Sequence, residues 1–139
     1  MEGYESFALR YDAGSQISPF NKFDRATVLG MRSDWRGLRV LEVGCAGGLL
    51  ATQLIDAGAN VTAFDLSPTL VALAGERAPS ANIYVHDIRQ PIPEPDGQFD
   101  VVVASLVLHY VQDWNPVFED ARRVLRPGGS LIVTTGHPL

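Results

Sequence analysis

Apolar residues along the chain form short, nearly continuous runs that alternate with longer segments in which they recur every three or four positions. The runs are typical of buried strands, and the longer segments are typical of amphipathic helices. We therefore predict five strands, at residues 39–44, 61–65, 82–87, 99–106 and 130–135. Strands that are apolar throughout and separated by helices favour a parallel sheet covered on both faces. The pattern predicts a doubly wound, mostly parallel α/β fold.

Capping and breaking residues indicate where the helices begin and end. Residues 47–58 carry an apolar stripe that ends at a glycine. Ser67-Pro68 and Asn115-Pro116 each place a capping residue before a proline at the first helical position. Pro127-Gly128-Gly129 is expected to stop the last helix, with Arg126 in its final turn. Three prolines within residues 90–97 predict a loop.

The N-terminal residues follow a different, polar and aromatic pattern. They predict one or two short helices lying against the carboxyl edge of the sheet. We therefore expect a helical cap segment at residues 1–36 and an α/β core at residues 37–139. With 139 residues, both belong to one domain.

Composition and charge exclude several classes of function. A net charge of −5 and a pI near 5.0 argue against a nucleic-acid partner. No apolar run is long enough to span a membrane, and the N-terminus lacks a leader pattern, so we expect a cytoplasmic protein without a membrane partner. A single cysteine and three histidines without ligand spacing predict no disulfide and no metal site.

The first strand leads into a loop with the sequence Glu42-Val-Gly44-Cys-Ala46-Gly-Gly48. In a doubly wound sheet, ligands bind beyond the carboxyl ends of the strands, at such a turn. The dinucleotide pattern G-x-G-x-x-G would need glycine where Ala46 and Leu49 stand, and it has no place for Glu42. A phosphate-binding loop for a nicotinamide cofactor is therefore disfavoured.

The pattern E-x-G-x-A/G-x-G resembles the opening motif of class I S-adenosylmethionine-dependent methyltransferases. The resemblance extends over residues 4–136 and is closest to the type 11 branch, which acts on small molecules. The further motifs that carry it are the acid Asp65 after strand two, His86-Asp87-Ile88 after strand three, Phe99 to Tyr110 at strand four, Leu125 to Gly129 before strand five, and the N-terminal Tyr4 to Asp12.

This resemblance implies S-adenosylmethionine as cofactor and transfer of its methyl group to a small-molecule acceptor. On the methionyl side, Glu42 would anchor the ammonium group, directly or through water. Gly44, Cys45 and Ala46 would present their backbone to the methionyl part, and Tyr11 would close over its carboxylate.

On the nucleoside side, the resemblance implies that Asp65 grips the ribose and that Leu66 packs on the adenine. Asp87 would accept from the adenine amino group, while the amide of Ile88 donates to a ring nitrogen. Ser105, at the end of strand four, would line the sulfonium side.

Taken singly, these residues allow other interpretations. Asp65 could cap the next helix, and Asp87 could accept from loop amides. Cys45 fits a small buried apolar residue better than a nucleophile. His109, beyond strand four, could act as a general base or could pack against the cap. No residue is assigned a catalytic role.

Family members have seven strands, the last two forming an antiparallel hairpin, whereas only residues 136–139 follow the fifth predicted strand here. Five strands are thus present, and the edge of the fifth is expected to be exposed and able to self-associate. A fragment of a longer protein, a short form that pairs this edge with a partner, and a non-catalytic remnant are all compatible with this ending, and we favour the fragment. Two alternative functions stay open, a domain that binds S-adenosylmethionine or S-adenosylhomocysteine without turnover and, less favoured, an NAD-dependent oxidoreductase domain.

Overall fold

Five parallel strands form one sheet in the order β3-β2-β1-β4-β5. The computed structural model describes residue 5, residues 7–108 and residues 111–135. Within them the strands are β1 (Arg39–Val43), β2 (Asn60–Asp65), β3 (Asn82–Val85), β4 (Phe99–Ser105) and β5 (Leu125–Thr134). The predicted α/β fold with a parallel sheet is confirmed.

Helices cover the sheet and its carboxyl edge. They are α1 (Ala8–Ile17), α2 (Pro19–Gly30), α3 (Leu49–Asp56), α4 (Pro68–Arg77) and α5 (Asn115–Val124). The hydroxyls of Ser18 and Ser67 accept from backbone amides of the first turns of α2 and α4, and a proline follows each serine. These caps fix where the two helices begin.

The side chains of β1 point alternately to the two faces of the sheet and so contribute to two separate parts of the core. Leu41 and Val43 face the layer that includes α5, while Val40 faces the layer that includes α3 and Val28 of α2. Glu42 shares its face with Val40, because alternate residues of a strand point the same way. The buried face under the cap helices therefore carries a carboxyl group at the end of β1.

Two strand boundaries differ from the prediction by two residues or more. Strand β5 begins at Leu125 rather than at residue 130, so Pro127 to Gly129 lie inside the strand and Arg126 lies beyond the helix. Leu125 pairs with Phe99 and Ser130 pairs with Val101, which leaves the intervening residues of β5 in an irregular, bulged stretch. Strand β3 ends at Val85, two residues before the predicted end, since the chain turns at Asp87, whose carbonyl accepts from the amide of Gln90.

Within the described part of the chain, no helix combines the length and the apolar character that crossing a membrane requires.

Candidate functional site

A cavity that is partly open to solvent lies at the carboxyl ends of β1, β2 and β4, under the cap helices α1 and α2. It brings together all ten residues singled out from the sequence. They are Tyr11, Glu42, Gly44, Cys45, Ala46, Asp65, Leu66, Asp87, Ile88 and Ser105. The residues that the motifs placed at separate strand ends thus share one wall.

The loop after β1 presents backbone to this cavity. The amides of Gly44 and Cys45 both donate to the carbonyl of Phe64, at 2.9 Å each. Gly44 has φ +77°, and a Cβ there would lie 2.4 Å from Val107 Cγ2, so both conformation and space require glycine. The loop is consequently held against β2 with its backbone close to the cavity.

Glu42 is a buried carboxyl group whose Oε1 atom has no hydrogen-bond partner among the described residues. Burial, and next the nearby charge of Asp65, raise the pKa of Glu42 well above its ordinary value, while Arg25 opposes the shift. An unpartnered buried polar atom is costly. In a cavity wall, it is therefore suited to a hydrogen-bond donor or a cation from a ligand.

Asp65 connects the loop to the start of α4. Its Oδ1 atom accepts from the Ala46 amide and its Oδ2 atom from the Ser67 amide, both at 3.1 Å. The capping atom of α4 is the Ser67 hydroxyl, which accepts from Leu70. The interpretation of Asp65 as the cap of that helix is therefore wrong, and its carboxylate fixes the cavity loop instead.

Asp87 is bound by its neighbour Arg89. The Arg89 guanidinium donates to both carboxylate oxygens, at 2.9 and 2.7 Å, and the Arg89 amide donates to Oδ1. The guanidinium keeps the pKa of Asp87 below its ordinary value. Asp87 thus accepts from a loop amide, as its alternative interpretation predicts, and it also lies in the cavity wall.

Cap residues that the sequence analysis did not identify complete the wall. Asp24 of α2 is buried and its Oδ2 atom accepts from the Ser105 hydroxyl. Arg25 donates to the hydroxyl and the carbonyl of Ser15, at 3.1 Å each, and so joins α2 to α1. No local motif marks these residues, because their partners lie far away in the sequence or on another helix.

The remaining candidates for a catalytic or metal-binding role are either buried and unreactive or lie outside the described residues. Cys45 is 3% exposed, and burial raises the pKa of its thiol, which disfavours a thiolate nucleophile. His109 lies outside the described residues, as do Tyr4 and Tyr110 at the ends of two motifs. Within the described ranges, no group of three or more His, Cys, Asp or Glu side chains is arranged to hold a metal ion.

Comparison with known proteins gives consistent matches. Residues 41–133 match the family model of the type 11 methyltransferase domain. A ubiquinone biosynthesis O-methyltransferase of Xanthomonas oryzae is 34% identical over 131 residues, which cover 90% of this chain and 55% of the relative. The chain therefore spans about half the length of the curated relatives it matches.

Solved structures agree in fold. An S-adenosylmethionine-dependent methyltransferase from Mesorhizobium loti superposes with a TM-score of 0.76 at 30% identity, covering 90% of this chain and 57% of the other. The [4+2]-cyclase SpnF superposes with a TM-score of 0.71 at 31% identity, covering 81% of this chain and 44% of the other.

Proposed function

Since the chain belongs to the class I S-adenosylmethionine-dependent methyltransferases, we propose that it forms the donor site of an enzyme that methylates a small-molecule acceptor. When bound, S-adenosylmethionine supplies a methyl group on a positively charged sulfur and leaves as a neutral thioether. The proposal rests on the buried Glu42 carboxyl, whose Oε1 atom has no partner within the described part of the chain. This carboxyl lies in the cavity wall beside the backbone of the Gly44 loop.

The residues on the Glu42 side fit the methionyl part of this donor. An ammonium group would supply a partner for Glu42 Oε1, and it would favour the ionised form of that carboxyl. Gly44, Cys45 and Ala46 would contact the methionyl part through backbone, and Tyr11 of α1 would close over its carboxylate. No phosphate-binding glycine trio is needed, because the donor has no pyrophosphate.

The residues at the ends of β2 and β3 fit a nucleoside. The Asp65 carboxylate, positioned by the amides of Ala46 and Ser67, would accept from the ribose hydroxyls. Leu66 would pack on the adenine. Asp87 and the Ile88 amide would bind the adenine edge, with Arg89 holding the Asp87 carboxylate in place.

At the end of β4, Ser105 would line the sulfonium side, and its hydrogen-bond partner Asp24 would lie toward the acceptor. Holding donor and acceptor in line can supply on the order of 7–11 kcal/mol of the barrier, so positioning is the main task of the protein. The O-methyltransferase relatives favour an oxygen acceptor, whose proton must leave. Among the described groups, we assign this proton to the buried Asp24 carboxylate, which is hydrogen-bonded to Ser105.

Methyl transfer can be tested with a panel of phenols, catechols, amines and carboxylic acids, with S-adenosylhomocysteine release and acceptor mass as readouts. We expect methylation of at least one oxygen acceptor, and a kcat at least about 10-fold lower in Asp24→Asn with little change in donor affinity. Asp56→Asn, at an exposed position of α3, is the matched control.

Donor binding without methylation of any acceptor would support the non-catalytic binding domain instead. Similarity to a cyclase makes this outcome informative, because the fold supports other chemistry. If kcat is the same in Asp24→Asn and in the unsubstituted chain, Asp24 is not the group that takes the proton of the acceptor.

The division into a cap (1–36) and a core (37–139) and the cytoplasmic location stay predictions. Expressing residues 37–139 alone and fractionating cells that carry the tagged protein would test them.

A further inference from the structure

Helix α1 is joined to α4 and to the glycine loop by one arginine. Arg77, the last residue of α4, donates to both carboxylate oxygens of Asp12, at 2.6 and 2.7 Å. The same guanidinium donates to the carbonyl of Gly47 at 3.0 Å. The Asp12 side chain is 5% exposed and that of Arg77 is 25% exposed. This shielded bridge therefore links three segments that are distant in sequence.

The surroundings of the bridge hold Asp12 in place. Gln16 Nε2 donates to Asp12 Oδ2 at 2.9 Å, and a Cβ on Gly47 would lie 2.0 Å from Asp12 Oδ1. Hydrogen bonding from Arg77 lowers the pKa of Asp12, so the carboxylate is charged at neutral pH. Asp12 thus occupies the space that the glycine leaves open.

A second contact ties the N-terminal segment to the other end of α4. The carboxylate of Glu5 accepts from the hydroxyls of Ser67 and Thr69, and from the Thr69 amide at 3.1 Å. Helix α4 therefore meets the cap segment at its first and at its last turn.

Both ends of the Arg77 bridge adjoin residues of the cavity. Asp12 follows Tyr11, and Gly47 follows Ala46, whose φ of 46° is unusual for a residue with a side chain. A movement of α1 away from the sheet would break the Asp12–Arg77 bridge, which orients the guanidinium that donates to the Gly47 carbonyl of the loop. Conversely, a ligand that fixes the loop would favour the docked position of α1.

We propose that Arg77 and Asp12 are positioning residues that couple docking of α1 over the cavity to the conformation of the glycine loop. Donor binding and cap docking then stabilise each other, and the coupling must be reciprocal. This inference rests on the proposed function, since it assigns the coupling to the donor cavity.

The test is a double-mutant cycle on S-adenosylhomocysteine affinity with Asp12→Asn, Arg77→Met and the double variant. We expect each single variant to bind at least about 10-fold more weakly, within the usual 5–150-fold range of coupling. The double variant should bind about as weakly as either single one, because both changes break the same bridge. Arg77→Lys retains the charge without the two-pronged geometry and should recover only part of the affinity.

Hydrogen exchange distinguishes coupling from a purely structural role. In the unsubstituted chain, S-adenosylhomocysteine should slow exchange of the α1 amides, and in Arg77→Met this protection of α1 should be lost while α3 and β1 remain protected. Asp34→Asn, which breaks an exposed Asp–Arg pair at 3.0 Å, is the control and should change neither affinity nor exchange.

Three outcomes would be decisive. If the unsubstituted chain binds no S-adenosylhomocysteine, the proposed function fails. If it binds and the variants bind equally well with α1 still protected, the coupling is wrong while the proposed function stands. If Arg77→Met is unfolded by circular dichroism, Asp12→Asn and Arg77→Lys, judged by the same two readouts, decide the coupling.

Discussion

Glu42 combines a cost in stability with a proposed role in binding. Its buried carboxyl is more easily protonated in the folded chain than in the unfolded one, because burial raises its pKa above the ordinary 4.5. Between the unfolded and the folded pKa, the folded state binds more protons, so this residue makes the chain less stable as the pH rises. Below pH 4.5 both states are protonated and the penalty disappears.

Glu42→Gln should therefore raise the melting temperature at pH 8, and the gain should shrink as the pH falls toward 4.5. The same change should weaken S-adenosylmethionine binding about 10-fold or more, since hydrogen bonds to charged groups contribute roughly 1.5–3 kcal/mol. Thermal melts across this pH range and calorimetry at pH 8 measure the two effects. A stability difference independent of pH, or unchanged affinity, would contradict this description of Glu42.

At the same scale, the sequence was sufficient to place in the cavity wall those residues that lie at the carboxyl end of a strand in a recognisable motif. Glu42, Asp65 and Ser105 are examples, because the end of a parallel strand fixes where its next side chain lies. Asp12 and Asp24 could not be found in this way. Their partners, Arg77 and Ser105, are 65 and 81 residues away, and no local pattern encodes such contacts.

Three strands are held together at their amino ends by one carboxylate. Asp100 of β4 accepts from the Arg39 amide of β1 at 2.8 Å and from Arg126 Nε of β5 at 2.6 Å. Hydrogen bonds from the Arg39 side chain are the main reason that the pKa of Asp100 is lowered. A lowered pKa gives stability that is present above the ordinary value of 3.8 and is lost as the pH falls.

Asp100→Asn should accordingly lower the free energy of unfolding by about 1–2 kcal/mol at pH 7, a value reduced for the exposure of both arginines. The difference in the free energy of unfolding between this variant and the unsubstituted chain, measured by urea titration, should become smaller below pH 3.8. Asp96→Asn, at the exposed partner of Arg123, should leave stability unchanged. An equal deficit at pH 7 and at acid pH would show that charge at Asp100 is not the cause.

At the scale of the element, the sequence also misplaced the start of β5, which begins at Leu125 and not at residue 130. A Pro-Gly-Gly sequence after an amphipathic stretch is a sound signal for the end of a helix. Here the helix has already ended at Val124, and the three residues form the bulge of a strand. A Cβ on Gly129 would lie 2.9 Å from the Asp100 carbonyl, a contact with another strand that local sequence does not encode.

At the scale of the whole molecule, β5 lies at an edge of the sheet that the described residues form, and its Leu131 is 37% exposed. The predicted self-association through this edge is tested by light scattering at rising concentration. We expect the unsubstituted chain to associate and Leu131→Lys to stay monomeric, since charge on an edge opposes pairing. Gln53→Lys, at an exposed position of α3, controls for the added charge. Equal association of both variants would exclude this edge.

The central claim is a donor site at the carboxyl ends of β1 and β2, and calorimetric titration tests it most directly. S-adenosylhomocysteine should bind with a micromolar Kd, about −8 kcal/mol, and NAD should not bind. The Asp65→Ala variant should bind S-adenosylhomocysteine at least about 10-fold more weakly, whereas the Asp56→Ala variant should bind it as tightly as the unsubstituted chain. Binding of NAD alone, or no binding of S-adenosylhomocysteine by a folded chain, would contradict the account.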